Sequence, residues 1–148
     1  MFGIELTPEH EMDRLTALGE RAEAAGYDAV FSTCHYNNRD PWAVLSRLAA
    51  ATDDVRLGPG VVNPVETHPV TLASKLATLD EVSGGRAVFG IGPGDPSTLA
   101  NLGLADERGL RPVLEAFKPA QRLWAGERVD HEGTFEATDA GLNYGPPQ

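Results

Sequence analysis

The sequence predicts an α/β fold of about four parallel βα units, and three observations carry that prediction. Short apolar runs recur along the 148 residues, with helix-length segments between them. Each run ends in polar or Gly/Pro-rich residues: Phe2-Gly3-Ile4-Glu5, Thr33-Cys34-His35-Tyr36-Asn37-Asn38, Leu57-Gly58-Pro59-Gly60-Val61-Val62-Asn63-Pro64 and Gly90-Ile91-Gly92-Pro93-Gly94-Asp95. The intervening segments carry apolar residues at three- and four-residue spacing, as amphipathic helices do. Strands and helices alternating in this order form a parallel sheet with right-handed crossovers. In an α/β barrel such strands bring their C-terminal ends to one face, where the chemistry lies. A doubly wound open sheet satisfies the same pattern, and periodicity leaves both open.

The elements follow in order. Phe2–Leu6 reads as a short buried strand. A helix opens at Thr7 or Glu9 and places Leu15, Leu18, Ala22 and Ala25 on one face, with Gly26 as its stop. Tyr27–Ser32 is the second strand. Asp40-Pro41 is a helix start, Asp as N-cap and Pro at the first helical position, and that helix runs to about Thr52. Residues 55–62 form the third strand, which bends or ends at Pro59 because proline removes a ladder donor. A third helix spans about Pro69–Val82, ended by Ser83-Gly84-Gly85. Arg86–Ile91 is the fourth strand. A loop then runs to about Arg108, before a fourth helix near Leu110–Ala125. Residues 126–148 alternate weakly and read as a hairpin or irregular excursion, ending in Gly145-Pro146-Pro147-Gln148 as a linker. The whole is expected to be one domain, 1–148.

Composition narrows the function classes. Hydrophobic residues make up 41% of the chain, enough for a core, and the net charge is −10, with ten Arg against two Lys. An acidic surface disfavours nucleic acid and anionic membranes. The same balance suits a cytosol at high salt, where screening quiets self-repulsion, although an ordinary acidic enzyme has it too. No apolar run approaches a membrane span, no signal peptide is visible, and the single Cys34 has no disulfide partner within the chain, so a cytoplasmic location is expected.

Several residues could carry chemistry. Glu5 lies within an apolar strand, where a carboxylate is a structural ion-pair member or a general acid. His35 stands at the C-terminal end of the second strand and can hydrogen-bond a ring system or shuttle a proton. Gly58-Pro59-Gly60 lets backbone approach a flat ligand closely, or is a plain strand-end turn. Gly92-Pro93-Gly94-Asp95 offers backbone donors and a carboxylate, yet is neither a Walker loop nor a dinucleotide fingerprint. His10, His35, His68 and His131 are scattered without metal-ligand spacing.

Taken together, Phe2-Gly3-Ile4-Glu5, His35-Tyr36-Asn37-Asn38, Leu57-Gly58-Pro59-Gly60-Val61 with Asn63-Pro64, His68-Pro69, Ala77-Thr78-Leu79-Asp80-Glu81 and Gly90-Ile91-Gly92-Pro93-Gly94-Asp95 resemble the luciferase-like family of flavin- and deazaflavin-dependent enzymes. Within it the resemblance is to the F420-dependent methylenetetrahydromethanopterin reductases. It implies the N-terminal half of a TIM (β/α)8 barrel. The implied activity is hydride transfer between reduced F420 and a methylene-tetrahydropterin, of methanopterin or folate type; FMN is the less favoured cofactor. By the same resemblance Glu5 is the proton donor and Asp95 a second carboxylate. His35, Gly60, Val61, Asn63, Gly92 and Gly94 serve the cofactor, with a cis peptide at Gly60–Val61. Two departures stand out. Cys34 occupies a position where such relatives carry Asp, and a thiol lacks a carboxylate's two acceptor oxygens. Four units are also half of what a closed barrel needs, so a complementary C-terminal half chain or a homo-oligomer is expected. A non-catalytic remnant or cofactor-binding subunit is the alternative.

Overall fold

The computed structural model describes residues 2–104 and 109–145, so the end of the expected loop (105–108) and the linker residues 146–148 lie outside the described residues. Two compact units divide the chain, one formed by Met1–Val61 with Leu79–Gly90, the other by Val62–Thr78 with Ile91–Gln148.

The first unit holds β1 (Gly3–Leu6), α1 (Met12–Ala24), β2 (Ala29–Ser32), α2 (Pro41–Ala51) and β3 (Arg56–Pro59). The three strands pair in parallel in the order β1-β2-β3, with Ile4 opposite Val30 and Val30 opposite Leu57. Side chains alternate across a strand, so Leu6, Val30 and Leu57 share one face, where all three are buried. Leu15, Val44, Leu45 and Leu48 from the two helices are buried as well. The helices pack closely at Gly19: a Cβ there would meet Leu48 Cδ2 at 2.3 Å. Asp40 caps α2 as expected, accepting from Ala43 N–H at 2.9 Å with Pro41 behind it.

Two expectations for this unit need correction. The segment Phe2–Leu6 is not a buried strand: Phe2 is 80% exposed, Gly3 and Glu5 are exposed, and only Leu6 is buried. In the described sheet β1 is an edge strand, and Gly3 and Glu5, on the face opposite Leu6, are exposed. The first helix starts at Met12 rather than Thr7 or Glu9. Thr7 precedes a proline, which disfavours helical backbone there, and the Pro8 and Glu9 carbonyls accept from the Arg39 guanidinium instead.

The expected fourth strand, Arg86–Ile91, appears only as isolated parallel bridges, Leu57 with Ala87 in the first unit and Val62 with Ile91 in the second. Pro59 offers no N–H to continue the ladder, and β3 stops there; the Gly60–Val61 peptide that follows is cis. Backbone crowding is tight at both glycines. A Cβ on Gly58 would lie 2.2 Å from Val88 O, and one on Gly90 1.9 Å from Pro59 O.

In the second unit α3 (Pro69–Ser83) begins, and α4 (Pro96–Asn101), α5 (Arg111–Trp124), β4 (Val129–His131) and β5 (Ala137–Ala140) follow. The last two strands form the expected antiparallel hairpin. Leu72, Ala73, Leu76, Ala116, Ala120, Leu123 and Val129 are buried in this unit. The Trp124 indole donates to Ala73 O at 3.0 Å. Helix α4 replaces part of the expected loop. Asp95-Pro96 is the same N-cap-plus-proline signal as Asp40-Pro41, so the sequence held the sign of this helix.

Candidate functional site

In the first unit the site is built on the face of the sheet that carries Glu5, where Glu5 is exposed, Phe31 half-buried and Gly58 buried. Glu5 pairs in register with Phe31, and Phe31 with Gly58. Beyond them Gly60 N–H donates to Ser32 O at 2.8 Å, which holds the cis Gly60–Val61 peptide at the end of β3. A Cβ on Gly60 would lie 3.1 Å from Phe31 Cβ and 3.3 Å from Glu5 Oε1. Glu5 and Gly60, 55 positions apart, are therefore neighbours. The Glu5 carboxylate is exposed, not enclosed in the apolar surroundings that its strand position suggests. Val61 is 37% exposed.

His35 lies on the loop after β2, half-buried, where Asn38 N–H donates to its carbonyl at 3.0 Å. This loop is tied to the one after β1. Thr33 N–H donates to Leu6 O at 3.1 Å, and Arg39 donates through Nη1 to Glu9 O at 2.8 Å. Cys34 Sγ donates to Ser32 O at 3.6 Å, a thiol turned to backbone. Ser32 Oγ is buried and has no hydrogen-bond partner among the described residues.

In the second unit Asn63, Gly92, Gly94 and Asp95 come together. Gly92 N–H donates to Val62 O at 3.0 Å. Asn63 is buried; its Nδ2 donates to Pro93 O, and its Oδ1 accepts from Val65 N–H at 2.7 Å. Gly94 has φ +70° and faces the Asn63 amide. Asp95 is the N-cap of α4. It accepts from Thr98 N–H at 3.0 Å, from Thr98 Oγ1 at 2.8 Å, from Ser97 N–H at 3.3 Å and from the Ser97 hydroxyl. The Ser97 and Thr98 hydroxyls, with the Thr98 amide, pull its carboxyl down to about 2. This carboxylate is ionised at neutral pH and engaged with its own helix.

Sequence reasoning missed three contributors. Arg86 donates to the ends of two helices, Arg39 ties two loops, and Ser32 leaves a buried hydroxyl unpaired among the described residues. An arginine next to a strand start, just after a Gly-Gly helix stop, was the one available sign of the first. Among the described residues no group of three His, Cys, Asp or Glu side chains is placed to hold a metal. No helix among them is long and apolar enough to cross a membrane.

The parallel βα units, with candidate residues following the strands, define part of an α/β barrel. The luciferase-like monooxygenase family model matches residues 2–148, and the chain belongs to that family. It is 39% identical over 146 residues to the 5,10-methylenetetrahydromethanopterin reductase of Archaeoglobus fulgidus, covering 98% of this chain and 44% of that protein. It is 35% identical over 163 residues to an F420-dependent glucose-6-phosphate dehydrogenase of Microbacterium testaceum, covering 99% and 48%. The solved coenzyme F420-dependent tetrahydromethanopterin reductase of Methanopyrus kandleri superposes with a TM-score of 0.92 at 34% identity, over 98% of this chain and 46% of that one. The expected likeness to the N-terminal half of such a barrel is thereby borne out. The chain spans less than half the length of these relatives.

Proposed function

We propose that this chain is the N-terminal part of an F420-dependent oxidoreductase that moves a hydride between reduced F420 and a methylene-tetrahydropterin. The observation that carries the reading is the Glu5–Phe31–Gly60 cradle, in a chain similar to 5,10-methylenetetrahydromethanopterin reductases along nearly its whole length. The residues present fit a flat ring. Glu5 and Val61 are exposed, and glycine stands where any larger side chain would press on Phe31 and Glu5.

When bound, F420 supplies the hydride. The protein's share is orientation and a proton. Glu5 is the carboxyl that delivers the proton to the pterin nitrogen leaving the methylene bridge. Gly60 and Val61 leave the ring backbone to rest on, and His35 hydrogen-bonds it. Taken by itself, the second unit offers a ligand the backbone of its Gly92–Asp95 loop, with Gly92 and Gly94 in it. Asp95, ionised and engaged with Ser97 and Thr98, contributes negative charge rather than a proton. The remaining strands come from sequence beyond these 148 residues, from a complementary chain or from a second copy. On this reading the acidic surface reflects a cytoplasm at high salt.

A second reading has one observation of its own. Cys34, where such enzymes carry Asp, turns its thiol to Ser32 O, which suits a subunit that binds the cofactor without catalysing. The test is F420 titration of the purified chain in high salt with its solution mass, followed by F420H2 oxidation with methylene-tetrahydromethanopterin and methylene-tetrahydrofolate. Binding with turnover supports the reductase. Binding without turnover in every assembly supports the subunit reading. Uptake of FMN in preference to F420 overturns both.

A further inference from the structure

We infer that Asn63 is a positioning residue, acting on ligand binding through the Gly92–Asp95 loop rather than by touching the ligand. The inference rests on the F420 reading for what that loop serves. It departs from the resemblance, which gives Asn63 a direct cofactor contact.

The side chain is only 6% exposed. Both of its polar ends are used inside the protein, Nδ2 on Pro93 O and Oδ1 on Val65 N–H. These partners fix the amide's orientation. A flipped amide would set oxygen against the Pro93 carbonyl and N–H against the Val65 N–H. The Oδ1 bond to Val65 closes a turn within residues 63–65, so the amide is held before it reaches across. Gly92 N–H bonds Val62 O one residue before, so the two segments are joined at successive points.

Gly94 completes the lock. At φ +70° a side chain would be strained, and a Cβ would lie 2.9 Å from Asn63 Nδ2. The loop closes over the amide because residue 94 has no Cβ. Removing the amide leaves the Pro93 carbonyl and Val65 N–H without these partners and the loop without its underlying contact. A buried amide so engaged is better suited to holding the loop than to reaching a ring.

The experiment uses the full chain with Asn63→Ala, Asn63→Asp, Gly94→Ala and the Asn63→Ala/Gly94→Ala double variant. Amide hydrogen exchange is read over residues 90–96, and F420 affinity by fluorescence titration. Asn63→Ala is expected to speed exchange at Gly92, whose N–H is bonded to Val62 O, and to weaken F420 about tenfold, the loss that one hydrogen bond of ordinary strength implies. Asn63→Asp keeps the acceptor for Val65 but opposes Pro93 O with oxygen, so it loosens the loop as Ala does. Gly94→Ala weakens F420 comparably, and the double variant no further than the worse single, because both act through one lock. Unchanged exchange in Asn63→Ala overturns the inference whatever F420 does. Losses that add in the double variant point to independent ligand contacts and overturn it too. F420 affinity is read in the completed assembly; an assembly whose parent form takes up no F420 overturns the F420 reading and with it the ligand clause, and this failure shows in the parent rather than in the variants.

Discussion

Replacing Arg86 with Ala should cost the first unit about 3–4 kcal/mol, since roughly 1 kcal/mol is lost for each backbone carbonyl that loses a charged donor at a half-buried site. The structure supplies the reckoning. Nε donates to Ser83 O at 2.7 Å, Nη1 to Val55 O at 2.8 Å and Thr52 Oγ1 at 3.0 Å, and Nη2 to Ala49 O and Thr52 O, both at 2.9 Å. Ala49 and Thr52 close α2, and Ser83 closes α3, so one guanidinium satisfies carbonyls at two helix ends and lies at their negative poles. Arg86→Lys keeps the charge but not the planar fork, and should recover about half of the loss. Urea unfolding followed by far-UV circular dichroism at fixed salt measures both. Because the acceptors are neutral groups, most of the difference between parent and variant should persist at raised ionic strength, with only the attraction of Arg86 to the Glu23 carboxylate screened. An Arg86→Ala chain within about 1 kcal/mol of the parent, or a lysine variant equal to it, would refute the reasoning, because the fork would then contribute no more than one ordinary hydrogen bond.

Other predictions follow from single contacts. Gly58→Ala should destabilise by about 3 kcal/mol and exceed Gly60→Ala, because its Cβ meets the Val88 carbonyl at 2.2 Å whereas the Gly60 Cβ meets Phe31 at 3.1 Å; equal midpoints in urea would contradict the packing. Stability should hold from neutral pH down through mild acid, then fall below the ordinary carboxylate range of about pH 4. Burial pushes the Glu23 carboxyl up, but the Val55, Asp54 and Asp53 N–H groups outweigh it and hold it low. The Thr134 and Arg111 side chains hold Glu115 near 2, and the Ser97 and Thr98 hydroxyls do the same for Asp95. Each folded value lies below the unfolded one, so the stabilisation is present above the unfolded value and lost as pH falls through the folded one; a midpoint unmoved at pH 2.5 would count against it. In an active assembly, Glu5→Gln should lower turnover by about 100-fold or more with little change in F420 affinity; unchanged turnover removes Glu5 from the chemistry.

Much of this fold was legible because its signals are local. Asp40-Pro41 and the Ser83-Gly84-Gly85 stop announce helix ends by their own backbone chemistry, and the structure has helix ends beside both. Asp95-Pro96 is equally local, the same cap signal standing at the end of a glycine-rich loop. The fourth strand failed for a different reason. Whether residues 86–91 pair continuously depends on Pro59 of another segment, which has no N–H to give, and no window around residue 88 contains it. The site divides in the same way. The residue types were readable and Asp95's cap partners are its near neighbours Ser97 and Thr98, but the role of Asn63 was not, because Pro93 is brought to its amide only by the fold.

By itself the sequence determined the βα alternation, the caps, the acidic surface and the membership that its spaced motifs carry, since all of these are properties of residues and their near neighbours. The tertiary structure alone decided that Glu5 is exposed beside Gly60 rather than buried in its strand. It alone decided that Arg86 closes two helices and that the Asn63 amide is engaged beneath Gly94. The reason is geometric: burial and hydrogen-bond partnership depend on groups brought together from positions about 30 to 55 residues apart, and pairing at such range is made by packing, which no local propensity encodes.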